Sequence, residues 1–169
     1  MKIKFTRFLL AALIPWSFIA PTTANAEQAP AFELRAESTD VKLSDYRGKV
    51  VYLDFWASWC DPCRRSFPWM NELQSRYGQD GFAVIAINLD ESTEDAKKFL
   101  QQIPASFDIA YDPSGKTAEA YGLRAMPSSY LIDRNGQLIH SSLGYRAAEK
   151  RIVEDKIRKL VMSKLVASK

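Results

Sequence analysis

The stretch from Val50 to Cys63 constrains this chain more than any other segment. Val50-Val51-Tyr52-Leu53-Asp54-Phe55 is a β-branched and aromatic run that reads as a buried strand. Trp56-Ala57-Ser58-Trp59 carries it into Cys60-Asp61-Pro62-Cys63, and a helix is expected from about Pro62 to Tyr77. Proline in the first turn and Gly78 just past the end are ordinary start and stop signals. Phe82 to Leu89 reads as a second buried strand. Parallel strands joined by helices hold their sites at the carboxyl ends of the strands. Both cysteines lie at such an end.

The rest of the chain fits an α/β fold, a central mixed β-sheet flanked by helices. Short strands are expected near Phe32–Leu34 and Val41–Leu43, then a turn through Tyr46-Arg47-Gly48-Lys49. Ser92 and Thr93 are N-cap candidates for a helix through about Gln101. Ile109–Tyr111 reads as a short strand and Lys116–Tyr121 as a short helix. Ser129–Ile132 and Gln137–His140 flank Asp133-Arg134-Asn135-Gly136, whose Asn-Gly marks an antiparallel hairpin. His140 is expected on its solvent-facing side. Ile152, Val153, Ile157, Leu160, Val161 and Leu165 give a closing helix, about Ala147 to Leu165, one apolar face.

Residues 1–26 have the pattern of a secretory signal peptide. Lys2, Lys4 and Arg7 precede the apolar stretch Phe8–Ala20, and Ala24-Asn25-Ala26 is a small-x-small cleavage site. The apolar stretch is shorter than the roughly 20 residues of a spanning helix. Cleavage after Ala26 is expected, leaving residues 27–169 as one periplasmic domain with no membrane span. The three basic residues of the leader account for the whole formal net charge of +3. The balance that remains excludes the basic footprint of a nucleic-acid binder. With 47% hydrophobic and 25% charged residues, the domain can bury a core without disulfide staples.

Export puts both cysteines in an oxidising compartment. A helix N-terminus offers unpaired N–H groups and a partial positive charge, which stabilise a thiolate at Cys60. Cys63 lies a turn deeper. Cys60 would attack a substrate disulfide and Cys63 would resolve the mixed disulfide. The competing chemistries fit less well. A four-residue loop gains only roughly 2 kcal/mol from a structural disulfide. Zinc needs about four ligands, and the single His140 is distant in sequence. Covalent haem attachment needs C-x-x-C-H, and Arg64 stands in the histidine position. Copper(I) held by two soft thiolates stays open as an alternative.

The segment Trp56-Ala57-Ser58-Trp59-Cys60-Asp61-Pro62-Cys63-Arg64-Arg65 resembles the active site of the thioredoxin superfamily. Pro68 matches the proline that kinks the first helix in that family, and Met126-Pro127 before a strand resembles its cis-proline loop. With the leader, Tyr46-Arg47-Gly48-Lys49 and the run Met126 to Asp133, the pattern is similar to the exported TlpA/ResA branch. The resemblance spans roughly residues 30–165.

The resemblance implies a thioredoxin-like fold and a thiol–disulfide oxidoreductase with no cofactor beyond its own cysteine pair and no metal. Cys60, Cys63 and the buried acid Asp54 are the candidate catalytic residues, with Asp54 assisting proton transfer at the inner cysteine. Trp59, Met126 and a cis Pro127 would shape the substrate groove, while Asp61, Pro62 and Pro68 support the site. Trp56 is expected to pack inside. Thioredoxins carry a lysine on the next strand beside the acid; Ala86 fills that position here. Arg64 and Arg65 would favour the Cys60 thiolate and Asp61 would oppose it. Partners implied are protein disulfides, such as those of apocytochrome c or copper-centre maturation, and a membrane thiol donor of the DsbD or CcdA kind. A monomer acting as a reductase is expected. An oxidant of folding proteins, like DsbA, is the same-class alternative.

Overall fold

The computed structural model describes residues 27–167, so the leader expected over residues 1–26 lies outside the described residues. β1 (Glu33–Leu34) and β2 (Val41–Lys42) form a small antiparallel hairpin. A 3-10 turn at Leu43–Tyr46 leads into β3 (Val50–Trp56), α1 (Asp61–Tyr77), β4 (Phe82–Asn88) and α2 (Thr93–Gln102). There follow β5 (Asp108–Tyr111), α3 (Lys116–Ala120), β6 (Ser128–Ile132), β7 (Leu138–Leu143) and α4 (Ala147–Ala167). The main sheet has the order β5-β4-β3-β6-β7. Its β3, β4 and β5 are parallel, β6 is antiparallel to β3, and β7 is antiparallel to β6. This is the mixed sheet expected of the sequence.

All seven residues of the central β3 are buried, and their alternation feeds two cores. Val51, Leu53 and Phe55 join Ile85, Ile87 and Tyr121 on the face covered by the β1–β2 hairpin and α3. Val50, Tyr52 and Trp56 join Phe67, Met70, Phe99 and Ile157 under α1, α2 and α4. By parity Asp54 belongs to this second face, which also holds both cysteines.

Two expectations are met with a different local geometry, and two need correction. Gly78 directly follows the last residue of α1 as expected, but in a right-handed conformation; the chain continues through a 3-10 turn, Gly78–Asp80, and Gly81 is the left-handed residue, at φ 84°. Ser92 is the N-cap of α2 as expected, though not through its hydroxyl; its carbonyl accepts the Asp95 N–H. Ile152 falls off the apolar face of α4 and is exposed, while Val153, Ile157 and Val161 make the contact with the sheet; the Leu165 side chain lies outside the described residues. His140 is half-buried, because its strand position points toward α4 and Glu149 meets it there at 2.7 Å. The hairpin turn stands as expected, with Gly136 at φ 78° and the Asp133 carboxylate accepting the N–H groups of Asn135 and Gln137.

Candidate active site

Cys60 is the N-cap of α1, and its Sγ accepts the N–H of Cys63 at 3.3 Å. Small polar side chains usually make this bond to the third helical residue; here the sulfur makes it. The two sulfurs are joined as a disulfide. Cys63 is wholly buried and Cys60 is 4% exposed. The order of access is as expected, but Cys60 is not open to solvent, because in the disulfide its sulfur turns inward toward Cys63. The exposed group beside it is Trp59, at 70%. Trp56, wholly buried, packs against Phe67 and Phe99.

Arg64 does not attend the sulfur. Its guanidinium lies over the Phe99 ring and donates to Gln102 at 3.2 Å, so α2 holds it. Arg65 and Asp61 are exposed on α1. Pro68 sits inside α1, where it removes a helical N–H from the turn after the cysteines.

The Met126–Pro127 peptide bond is cis, in agreement with the expectation. Met126 packs against the core that contains Cys60 and Cys63. The loop is fixed from both sides: Gly144 N–H donates to the Pro127 carbonyl at 2.8 Å, and Ser128 Oγ donates to the Ala125 carbonyl at 2.7 Å.

Asp54 is 2% exposed and lies between Ala86 on β4 and Ser129 on β6. Its Oδ2 has no hydrogen-bond partner among the described residues. Burial holds its carboxyl well above the usual carboxylate range. Ala86 pairs with it in register, so no lysine relieves it from that strand. Burial, reinforced by Asp54, also raises the Tyr52 hydroxyl. Together these observations describe a proton-holding group on the same face as the inner cysteine.

Two polar clusters went unanticipated. Asp90, just past β4, accepts the Ser58 N–H at 3.0 and 3.1 Å and the Ser58 hydroxyl at 3.1 Å. Its place at the carboxyl end of a parallel strand was the available signal. The second joins β7 to α4. Glu149 accepts Ser142 Oγ at 2.6 Å and meets His140 Nε2 at 2.7 Å. Nothing in the local pattern marks that pair. Among the described residues no group of three or more His, Cys, Asp or Glu is placed to hold a metal ion.

The profile of the AhpC/TSA family matches residues 26–141. The chain belongs to the AhpC/TSA family. Within this family it is similar to the thiol-disulfide oxidoreductase ResA of Bacillus thuringiensis subsp. konkukian (strain 97-27), at 35% identity over 135 residues, 79% of this chain and 77% of that one. ResA of Geobacillus thermodenitrificans (strain NG80-2) is 38% identical over 144 residues, covering 82% and 83% of the two chains. A crystal structure from Chlorobium tepidum, of a protein proposed to be a thiol:disulfide interchange protein DsbE, is 52% identical with a TM-score of 0.79. The match covers 80% of this chain and 96% of that one. The fold is therefore thioredoxin-like, and this AhpC/TSA member is a thiol-disulfide oxidoreductase of the ResA/DsbE type, its redox pair Cys60 and Cys63.

Proposed function

We propose that this protein works outside the cytoplasm, as a reductase of protein disulfides. The observation that carries the reading is the placement of Cys60 at the α1 N-cap next to exposed Trp59, with Cys63 sealed behind it and Met126, just before the cis Pro127, packed on the same core. Cys60, as thiolate, attacks a substrate disulfide. Cys63 then breaks the mixed disulfide, losing its proton to Asp54. Trp59 and Met126 give an extended substrate chain an apolar seat. The exported location is supported by the leader pattern of residues 1–26; no helix among the described residues is long and apolar enough to cross a membrane. The reducing direction is supported by the short connection between α2 and Pro127, which holds β5 and the five-residue α3 and has no inserted helical domain of the DsbA kind. A membrane thiol donor would return the pair to the dithiol.

Equilibration with thiol redox buffers tests the direction. A potential near that of thioredoxin, about −270 mV, supports the reductase, and one near that of DsbA, about −120 mV, makes the protein an oxidant. A Cys63→Ser variant should accumulate mixed disulfides with exported proteins, and Cys60→Ser should not.

A further inference from the structure

We propose that Asp90 is a positioning residue of the redox pair: it clamps the loop in front of Cys60 and makes the Cys60–Cys63 couple more reducing. The inference rests on the thiol–disulfide reading above and adds the group that tunes it. Asp90 is 5% exposed. Its carboxylate receives the Ser58 N–H, the Ser58 hydroxyl and, at 2.8 Å, the side-chain amide of Asn88. It accepts in each of these contacts, which suits the carboxylate form. A carboxylate without donors would be costly at this depth, and here the donors are dedicated.

The support behind Asp90 is itself fixed. Asn88 is wholly buried. Its Oδ1 accepts the Asp90 N–H at 3.1 Å, and its carbonyl accepts the Asp112 N–H at 2.9 Å. Leu89 N–H donates to the Trp56 carbonyl at 2.9 Å, lacing the same two loops through the backbone. Directly after Ser58 comes Trp59, then Cys60, whose N–H closes a turn on the Ala57 carbonyl at 3.1 Å. One buried side chain, alongside these backbone bonds, thus holds the segment that aims the indole and the sulfur.

The charge of that side chain has a direction. Reducing the Cys60–Cys63 bond takes up two electrons and two protons, supplied by a dithiol donor, and Cys60 then ionises to the thiolate. The disulfide carries no charge for Asp90 to repel; the thiolate does. Ser58 is two residues from Cys60, a Cα separation of at most about 7.6 Å. Asp90 therefore opposes the helix N-terminus, disfavours the ionised dithiol and biases the couple toward giving electrons away. Asp61 and Arg65 are exposed on α1 and Arg64 is turned to Phe99 and Gln102, so these charges are better screened or directed elsewhere.

The test compares wild type, Asp90→Asn and Ser58→Ala, each purified after expression with its own leader, in dithiothreitol redox buffers, with Cys60 alkylation followed against pH. Asp90→Asn is expected to make the couple about tenfold more oxidising, which corresponds to about 30 mV, and to lower the pH midpoint of alkylation. Ser58→Ala keeps the charge and should shift the couple by less than about threefold. If Asp90→Asn lowers the melting temperature while both the potential and the alkylation midpoint stay at wild-type values, the inference is overturned. Should Asp90→Asn fail to fold, Asp90→Ser is the second neutral variant and is held to the same outcomes. A wild-type protein that never forms the dithiol in these buffers would sink the underlying reading, a result distinct from an unshifted variant.

Discussion

Asp54 on β3 stands directly opposite Ala86 on β4, so a buried carboxyl faces a methyl group and no cation. The unfolded chain releases this proton near the ordinary value of 3.8, while the folded chain holds it to higher pH because of burial. Stability is therefore lost as pH rises from about 4 toward the raised folded value. A neutral isostere escapes that loss. Asp54→Asn should exceed wild type in stability at pH 7 by at least about 1 kcal/mol, with the gap closing toward pH 4. Melting curves across that range check it, and a gap independent of pH would count against it. The same variant should slow decay of the mixed disulfide by about 100-fold or more, in line with the loss of a general base, as read by stopped-flow fluorescence.

The two tryptophans of the site should separate cleanly. Trp56 is sealed between Phe67 and Phe99, with ring centroids 4.9 and 4.7 Å away. Trp56→Ala should cost about 3–5 kcal/mol of stability. Trp59, at 70% exposure, touches little of the core. Trp59→Ala should move stability by no more than about 0.5 kcal/mol and raise KM for a protein disulfide several-fold, with turnover of a small disulfide unchanged. Denaturant melts and paired substrate assays distinguish them.

Arg134 should govern stability without touching the redox chemistry. Its guanidinium donates to the carbonyls of Gly48, Asp80, Gly81 and Val161, joining β3, β4 and α4 to the β6–β7 turn. This end of β3 is opposite the one that carries Cys60. Arg134→Ala should cost about 2–4 kcal/mol while the reduction potential stays at the wild-type value. A shifted potential would mean that the two ends of the sheet are coupled.

Glu149 ties α4 to β7. Its carboxyl is held below the usual range by the Ser142 hydroxyl and by His140. A lowered folded value contributes stability above the ordinary 4.5 and loses it as pH falls through the folded value. Glu149→Gln should cost about 1 kcal/mol at pH 7 and progressively less below pH 4.5. Urea titrations at both pH values read the difference.

What sequence could reach here follows from range. The cysteine pair, the strand before it, the helix it opens and the parity that puts Asp54 on the inner face are local consequences of spacing and period. Tyr46 to Lys49 was legible as a turn, whereas the cis bond at Met126-Pro127 was legible through family resemblance alone. Ile152 was misplaced because helical spacing defines a stripe about 100° wide, and only packing against the sheet decides where its edge falls.

By itself, then, the sequence determined the α/β class, the order of the elements and the redox pair at a helix start, since each depends on residues a few positions apart. The tertiary structure alone decided that Arg64 serves α2 and not the sulfur, that His140 turns in to Glu149, and that Asp90 reaches back 32 residues to hold Ser58. Those contacts join distant segments, and a side chain's partner is set by the register and layering of the sheet that brings the segments together.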